Sequence, residues 1–156
     1  MASSWERLAT YTLPSANANL STASDSSLSG GEFAAKTHLK VLISFLGTSG
    51  NVSGLRYRFN GDSSGTGGSS GTYAHRNSNN GAADDTGNWK TEINPANQSG
   101  GAGTDILLTI DIINIPTKEK LCTNHMVFQH GTGAGTAPKR TENSAKWVNT
   151  SDSFII

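Results

Sequence analysis

The chain has 156 residues, a single cysteine and a formal net charge of zero, with twelve Lys and Arg set against twelve Asp and Glu. That length suits one domain over residues 1–156 with one core. The charge balance gives no electrostatic footprint for nucleic acid or an anionic membrane, and the lone Cys122 excludes an intrachain disulfide, so the fold must be held by packing.

In chain order, the start MASSWERLATYTL lacks a basic segment followed by an apolar one, and no run approaches the length of a bilayer span, so neither leader nor membrane segment is expected. Apolar or alternating runs follow at about Trp5 to Leu13, Leu39 to Leu46, Leu55 to Asn60, Asp105 to Ile115, Lys120 to Gln129 and Ser153 to Ile156. Weaker ones lie near Glu32 to Ala35, Tyr73 to Arg76, Lys90 to Ile93 and Ala145 to Val148. Leu55, Tyr57 and Phe59 share one face of a pleat opposite Arg56 and Arg58, and Asn60-Gly61 supplies residues that tolerate positive φ where that strand ends. Leu39 to Leu46 and Ile106 to Ile115 are apolar on both faces, which predicts central strands covered on one side by a partner sheet and on the other by something else, such as a neighbouring subunit.

Between the strands lie Ser/Gly/Asn/Asp clusters at Ser15 to Gly31, Gly47 to Gly54, Gly61 to Thr72, Asn77 to Asn88, Asn94 to Thr104 and Gly131 to Pro138. No segment carries a sustained i, i+3, i+4 apolar pattern with a cap and a stop. The expected fold class is therefore all-β: an antiparallel β-sandwich, jelly-roll-like, with long Gly/Ser/Asn-rich loops.

Motifs that carry chemistry are scarce. Gly100 to Leu108 matches the calcium-binding pattern GGxGxDxUx, but that motif shares each ion between successive turns and occurs once here, so it reads as a glycine loop feeding a strand. Gly131 to Thr136 lacks the Lys-Ser/Thr that closes a phosphate loop. Cys122 and His125 stand three apart on a strand and so face opposite ways, which argues against a shared zinc ion with His130. No nucleophile elbow and no paired carboxylates are visible, so no catalytic residue, cofactor or metal is expected. Trp89, Trp147, Tyr73 and Tyr57 are the candidates to stack on a sugar ring or fill a partner's pocket, Trp89 foremost because it lies between a Gly/Asp loop and a short strand, although a core or interface role outweighs a ligand platform for such aromatics.

The segments Trp5-Glu6-Arg7-Leu8, Leu39-Lys40-Val41-Leu42-Ile43, Leu55 to Asp62, Gly133 to Arg140 and Lys146-Trp147-Val148-Asn149 resemble a family of small tailed-bacteriophage virion proteins, and the similarity spans most of the chain. The resemblance implies a non-enzymatic jelly-roll or β-sandwich virion component of decoration or fibre type. Its leading form is a capsid decoration or cement subunit in the virion, assembled as a homotrimer on the major capsid protein or other virion proteins. The alternative is a receptor- or carbohydrate-binding module of a tail fibre, with a host-surface glycan as ligand. Chains of this kind usually continue beyond the equivalent of Phe154-Ile155-Ile156, so that a last strand is either missing or supplied by a neighbour, and these three residues become candidate intersubunit contacts.

Overall fold

The computed structural model describes residues 5–8, 10, 12, 33, 36–47, 56–64, 70–79, 85–90, 92–95, 104–129 and 133–149. Its named elements are all strands: β1 (His38–Gly47), β2 (Tyr73–Asn79), β3 (Asp85–Lys90), β4 (Thr104–Ile113), β5 (Lys120–Phe128) and β6 (Lys139–Trp147). They form one antiparallel six-stranded sheet in the order β1-β4-β5-β6-β2-β3. The all-β expectation therefore holds.

The core lies on one face of this sheet. Strict alternation along β4 sends Ile106, Leu108, Ile110 and Ile112 inward, and the register sets Cys122, Met126 and Phe128 of β5 beside them. A short second layer covers this face: Tyr57 and Ile93 exchange backbone hydrogen bonds at 3.1 and 3.0 Å, and Phe59 is buried next to them. The chain leaves that layer through Asn60 and Gly61, both at positive φ (51° and 67°), and the Asp62 N–H closes the turn on the Phe59 carbonyl at 2.9 Å. This is the turn chemistry expected of Asn-Gly.

Aromatic packing joins the layers. Phe59 meets Tyr57, Tyr73 and Trp147 with ring centroids 5.5, 6.4 and 5.7 Å apart, and Tyr73 stacks on Trp147. Polar groups on the covered face then anchor the covering backbone. Tyr73 Oη accepts from the Phe59 N–H at 2.9 Å, and Thr141 Oγ1 donates to the Pro95 carbonyl at 3.0 Å. Asn114 donates to the carbonyls of Phe33 and Lys36 at 3.2 and 3.1 Å. Fully buried Lys120 donates to the carbonyls of Ile115 and Lys118, both at 2.8 Å, and so braces the Ile115-Pro116-Thr117-Lys118 turn that holds Thr117 at φ 61°.

The covered face also carries a row of amides. Asn124, Asn143 and Asn77 are register partners on β5, β6 and β2, and all three are buried. Tyr57 Oη donates to Asn124 Oδ1 at 2.7 Å, Asn124 Nδ2 donates to Asn143 Oδ1 at 2.5 Å, and Asn143 Nδ2 donates to Asn77 Oδ1. The relay ties the second layer to three strands of the sheet.

Two expectations are corrected. Leu39 to Leu46 is not central among the described strands: β1 stands at the edge of their order, because apolarity on both faces reports what covers a strand above and below, not what pairs beside it. Asn77 to Asn88 is not one continuous loop, since Asn77–Asn79 ends β2 and Asp85–Asn88 belongs to β3. Asn77 sits in a strand interior with its Oδ1 accepting from its cross-strand neighbour Asn143, while its Nδ2 is buried without a hydrogen-bond partner among the described residues.

Asn143→Ala should cost about 2–4 kcal/mol in urea denaturation, because it leaves a buried donor of Asn124 and a buried acceptor of Asn77 without their partner; an effect near zero would remove the relay from the account of the core. Burial opposes ionisation of Asp62, but hydrogen bonds from Ser64 and Trp147 outweigh it and lower its pKa to about 2. With the folded value below the unfolded one, Asp62 stabilises the protein above about pH 4 and loses that contribution as pH falls towards 2. Asp62→Asn should flatten acid unfolding across this window, and an unchanged acid profile would contradict the assignment.

Candidate functional site

The second face of the sheet carries the structure's candidate interaction surface. The same alternation that buries one set of side chains sends Lys40, Leu42 and Ser44 of β1, Leu107, Thr109, Asp111 and Ile113 of β4, and Leu121, Thr123, His125 and Val127 of β5 to this open side. Arg140, Glu142, Ser144 and Lys146 of β6 and Arg76 and Ser78 of β2 continue it.

The rows differ in chemistry. At one end Leu42, Leu107 and Val127 share the face, and at the other Ile113 faces Leu121 across β4 and β5. Leu42 is 68% exposed, Leu107 52% and Leu121 50%. Between these ends runs a polar belt with a shallow depression of about 350 Å³, floored by the short side chains of Ser78, Thr123 and Ser144 and rimmed by the longer ones of Arg76, Asp111, His125 and Glu142. Exposed Trp5 lies 5.7 Å from the Lys40 ammonium, which is itself bound to Asp111 at 2.8 Å. Around that face Arg140 pairs with Glu142 at 3.4 Å and Lys146 with Glu119 at 2.9 Å, contacts of small energetic weight at such exposure.

Of the candidate aromatics, Trp147 is fully buried and Tyr57 is half-buried against the core; Tyr73, also expected as a contact residue, is 1% exposed. Its ring is sealed against Trp147 and its hydroxyl is bonded to the Phe59 and Asp62 backbone, so it serves packing and cannot reach a ligand. Trp89 has its backbone in β3, and its side chain lies outside the described residues, as do Phe154, Ile155 and Ile156 entirely. The surface residues that sequence reasoning did not single out are Leu42, Leu107 and Leu121; their signal was the apolar outward parity of β1, β4 and β5.

Cys122 and His125 do face opposite ways: the thiol is buried and the imidazole lies on the open face. Among the described residues no group of three His, Cys, Asp or Glu side chains could hold a metal ion, and no helix is long and apolar enough to cross a membrane. Of the glycine-rich motifs, Gly100 to Gly103 lies outside the described residues, whereas Asp105 is an exposed β4 residue and Gly133 to Thr136 forms a turn with Gly133 at φ 81°. The acids are dispersed: Glu92 binds Arg56 and Arg58, while Glu119 and Glu142 each have a separate cationic partner.

No family model, curated protein or solved structure matches this chain.

Burial raises the Cys122 thiol to about pKa 11, partly offset by the Tyr57 and Asn124 hydrogen bonds, and leaves little thiolate at neutral pH. Modification by a thiol reagent at pH 8 should therefore be at least about a hundredfold slower than in urea-unfolded protein; comparable rates would place Cys122 at an accessible position.

Proposed function

We propose that this chain is a non-catalytic assembly subunit that docks by the open face of its sheet onto copies of itself and onto a larger protein surface. The specific form is a decoration subunit of a tailed-phage virion with a jelly-roll sandwich fold. The observation that carries the docking role is the set of large apolar side chains, Leu42, Leu107, Ile113 and Leu121, left in water on one face of a sheet whose other face already supplies the core. Leucines on the solvent side of a sheet are only partly covered in the monomer, and covering what is still exposed of each at an interface is worth about 0.6–2 kcal/mol. The phage setting comes from the sequence resemblance.

A second reading, a carbohydrate-binding module, is favoured by the depression between Arg76, Asp111, His125 and Glu142, whose charged groups and hydroxyl floor offer both donors and acceptors to a sugar. The apolar ends of the face favour a protein partner over a sugar as its principal occupant.

Gold-labelled antibody against the chain should mark the whole head of the particles that carry it. Label confined to a tail tip, or absent from particles, would overturn the decoration reading. The double variant Leu107→Lys with Leu121→Lys, still sheet-rich by circular dichroism, should bind particles stripped of the protein at least about tenfold more weakly, as expected from losing both leucines at the interface. Undiminished binding would remove the open face from the contact.

A further inference from the structure

The two edges of the sheet are built differently. β3 is six residues long, its pairing with β2 contains a register shift between Tyr73 and His75, and Gly87 lies so close beneath His75 that a Cβ there would sit 2.5 Å from the ring. Short, irregular edges resist pairing. β1 is ten residues long and keeps one unbroken register with β4 from His38–Ile113 to Gly47–Thr104. Among the described residues none pairs by its backbone with the outer side of β1. Its one Lys, Lys40, is already tied to Asp111 and does little to guard the edge.

The direction of the free backbone groups follows from the register. The Asn114 N–H donates to the Thr37 carbonyl at 2.7 Å, which marks the pair 37–114 as hydrogen-bonded. Alternation then turns the N–H and C=O of Leu39, Val41, Ile43 and Phe45 towards β4, and those of Lys40, Leu42 and Ser44 outward.

We infer that the β1 edge is a pairing site for a second copy of this chain, antiparallel and two-fold about Leu42, which joins two sheets into one. In that register the outward groups of Lys40, Leu42 and Ser44 meet those of Ser44, Leu42 and Lys40 of the second copy. On the core side Leu39 faces Phe45 and Val41 faces Ile43, so the four apolar residues of that side pair only with one another. Val41 is 39% exposed although it points to the covered face, which leaves room for this partner. Charge favours the same alignment: Lys40 faces Ser44, whereas the register centred on residue 40 would set two ammonium groups opposite each other. The observation here is backbone direction at an edge, independent of the open-face leucines, and the two-fold it generates differs from the threefold implied by the family resemblance.

The tests are register-specific. In the full chain, Leu42→Cys should oxidise to a covalent dimer in air, because directly opposed residues have Cα atoms about 5.5 Å apart, within disulfide reach. Ser44→Cys should not, since its counterpart lies about 14 Å away along the strand. Leu42→Pro removes only an outward N–H, and should convert a sedimenting dimer to a monomer that keeps its sheet spectrum, while Val41→Pro, which removes a bond to β4, should lose the sheet. Equal cross-linking at 42 and 44, or a wild-type chain that sediments as a monomer or a trimer at tens of micromolar, would overturn the inference. Neither result would bear on the antibody labelling of particles.

Discussion

An amide relay across three strands, begun by the Tyr57 hydroxyl and continued through Asn124, Asn143 and Asn77, fastens the covering layer to one face of this sheet. Apolar burial selects the same face, since β4 sends Ile106, Leu108, Ile110 and Ile112 to it. β4 and β5 nevertheless carry some hydrophobic side chains on the other face as well. Hydrogen bonds that are worth about 1 kcal/mol when made, and cost more when left buried and unmade, reinforce the preference. They do so by binding backbone. Pro95, Phe59, Phe33 and Lys36 each accept or donate to a side chain that projects from the covered face of the sheet or its flanking turn. The covering layer is therefore stapled as well as packed.

This arrangement has a consequence for the rest of the surface. With the covering segments committed to one face, the other keeps its leucines and isoleucines in water, separated by a polar belt whose ion pairs are exposed and weak. Among the described residues the hydrogen-bonding direction is left open as well, at the long regular edge of β1. Pairing along that edge would extend both faces at once, so that a second copy would double the open surface without altering it.

Sequence legibility tracked polarity. The alternation of Ile106 to Ile112 and of Leu121 to Phe128 identified β4 and β5, and Asn60-Gly61 announced its turn, because each signal is local. The first half of β6 and the end of β2 were hidden for the opposite reason. Their inward positions are the polar residues Thr141, Asn143 and Asn77, which give no apolar alternation to read, and the partners that bond them, Pro95, Asn124 and one another, are brought close only by the fold. Tyr73 was a candidate contact residue because an aromatic serves a core and a ligand platform equally well in sequence, and only the fold shows its ring closing the aromatic cluster over Trp147. The placement of β1 at an edge was not readable at all, since nothing in a strand's own pattern reports its lateral neighbours.

Hydroxyl-radical footprinting read by mass spectrometry tests the one-sided sheet most directly. Along β5 and β6 the account predicts that Met126, Phe128 and Trp147 stay unmodified in the dilute native protein, although methionine and tryptophan are intrinsically reactive, while Leu121 and His125 are labelled. Labelling of Met126 or Trp147 at the rate seen for His125 would contradict it, because the face taken here as the core would then be open to water.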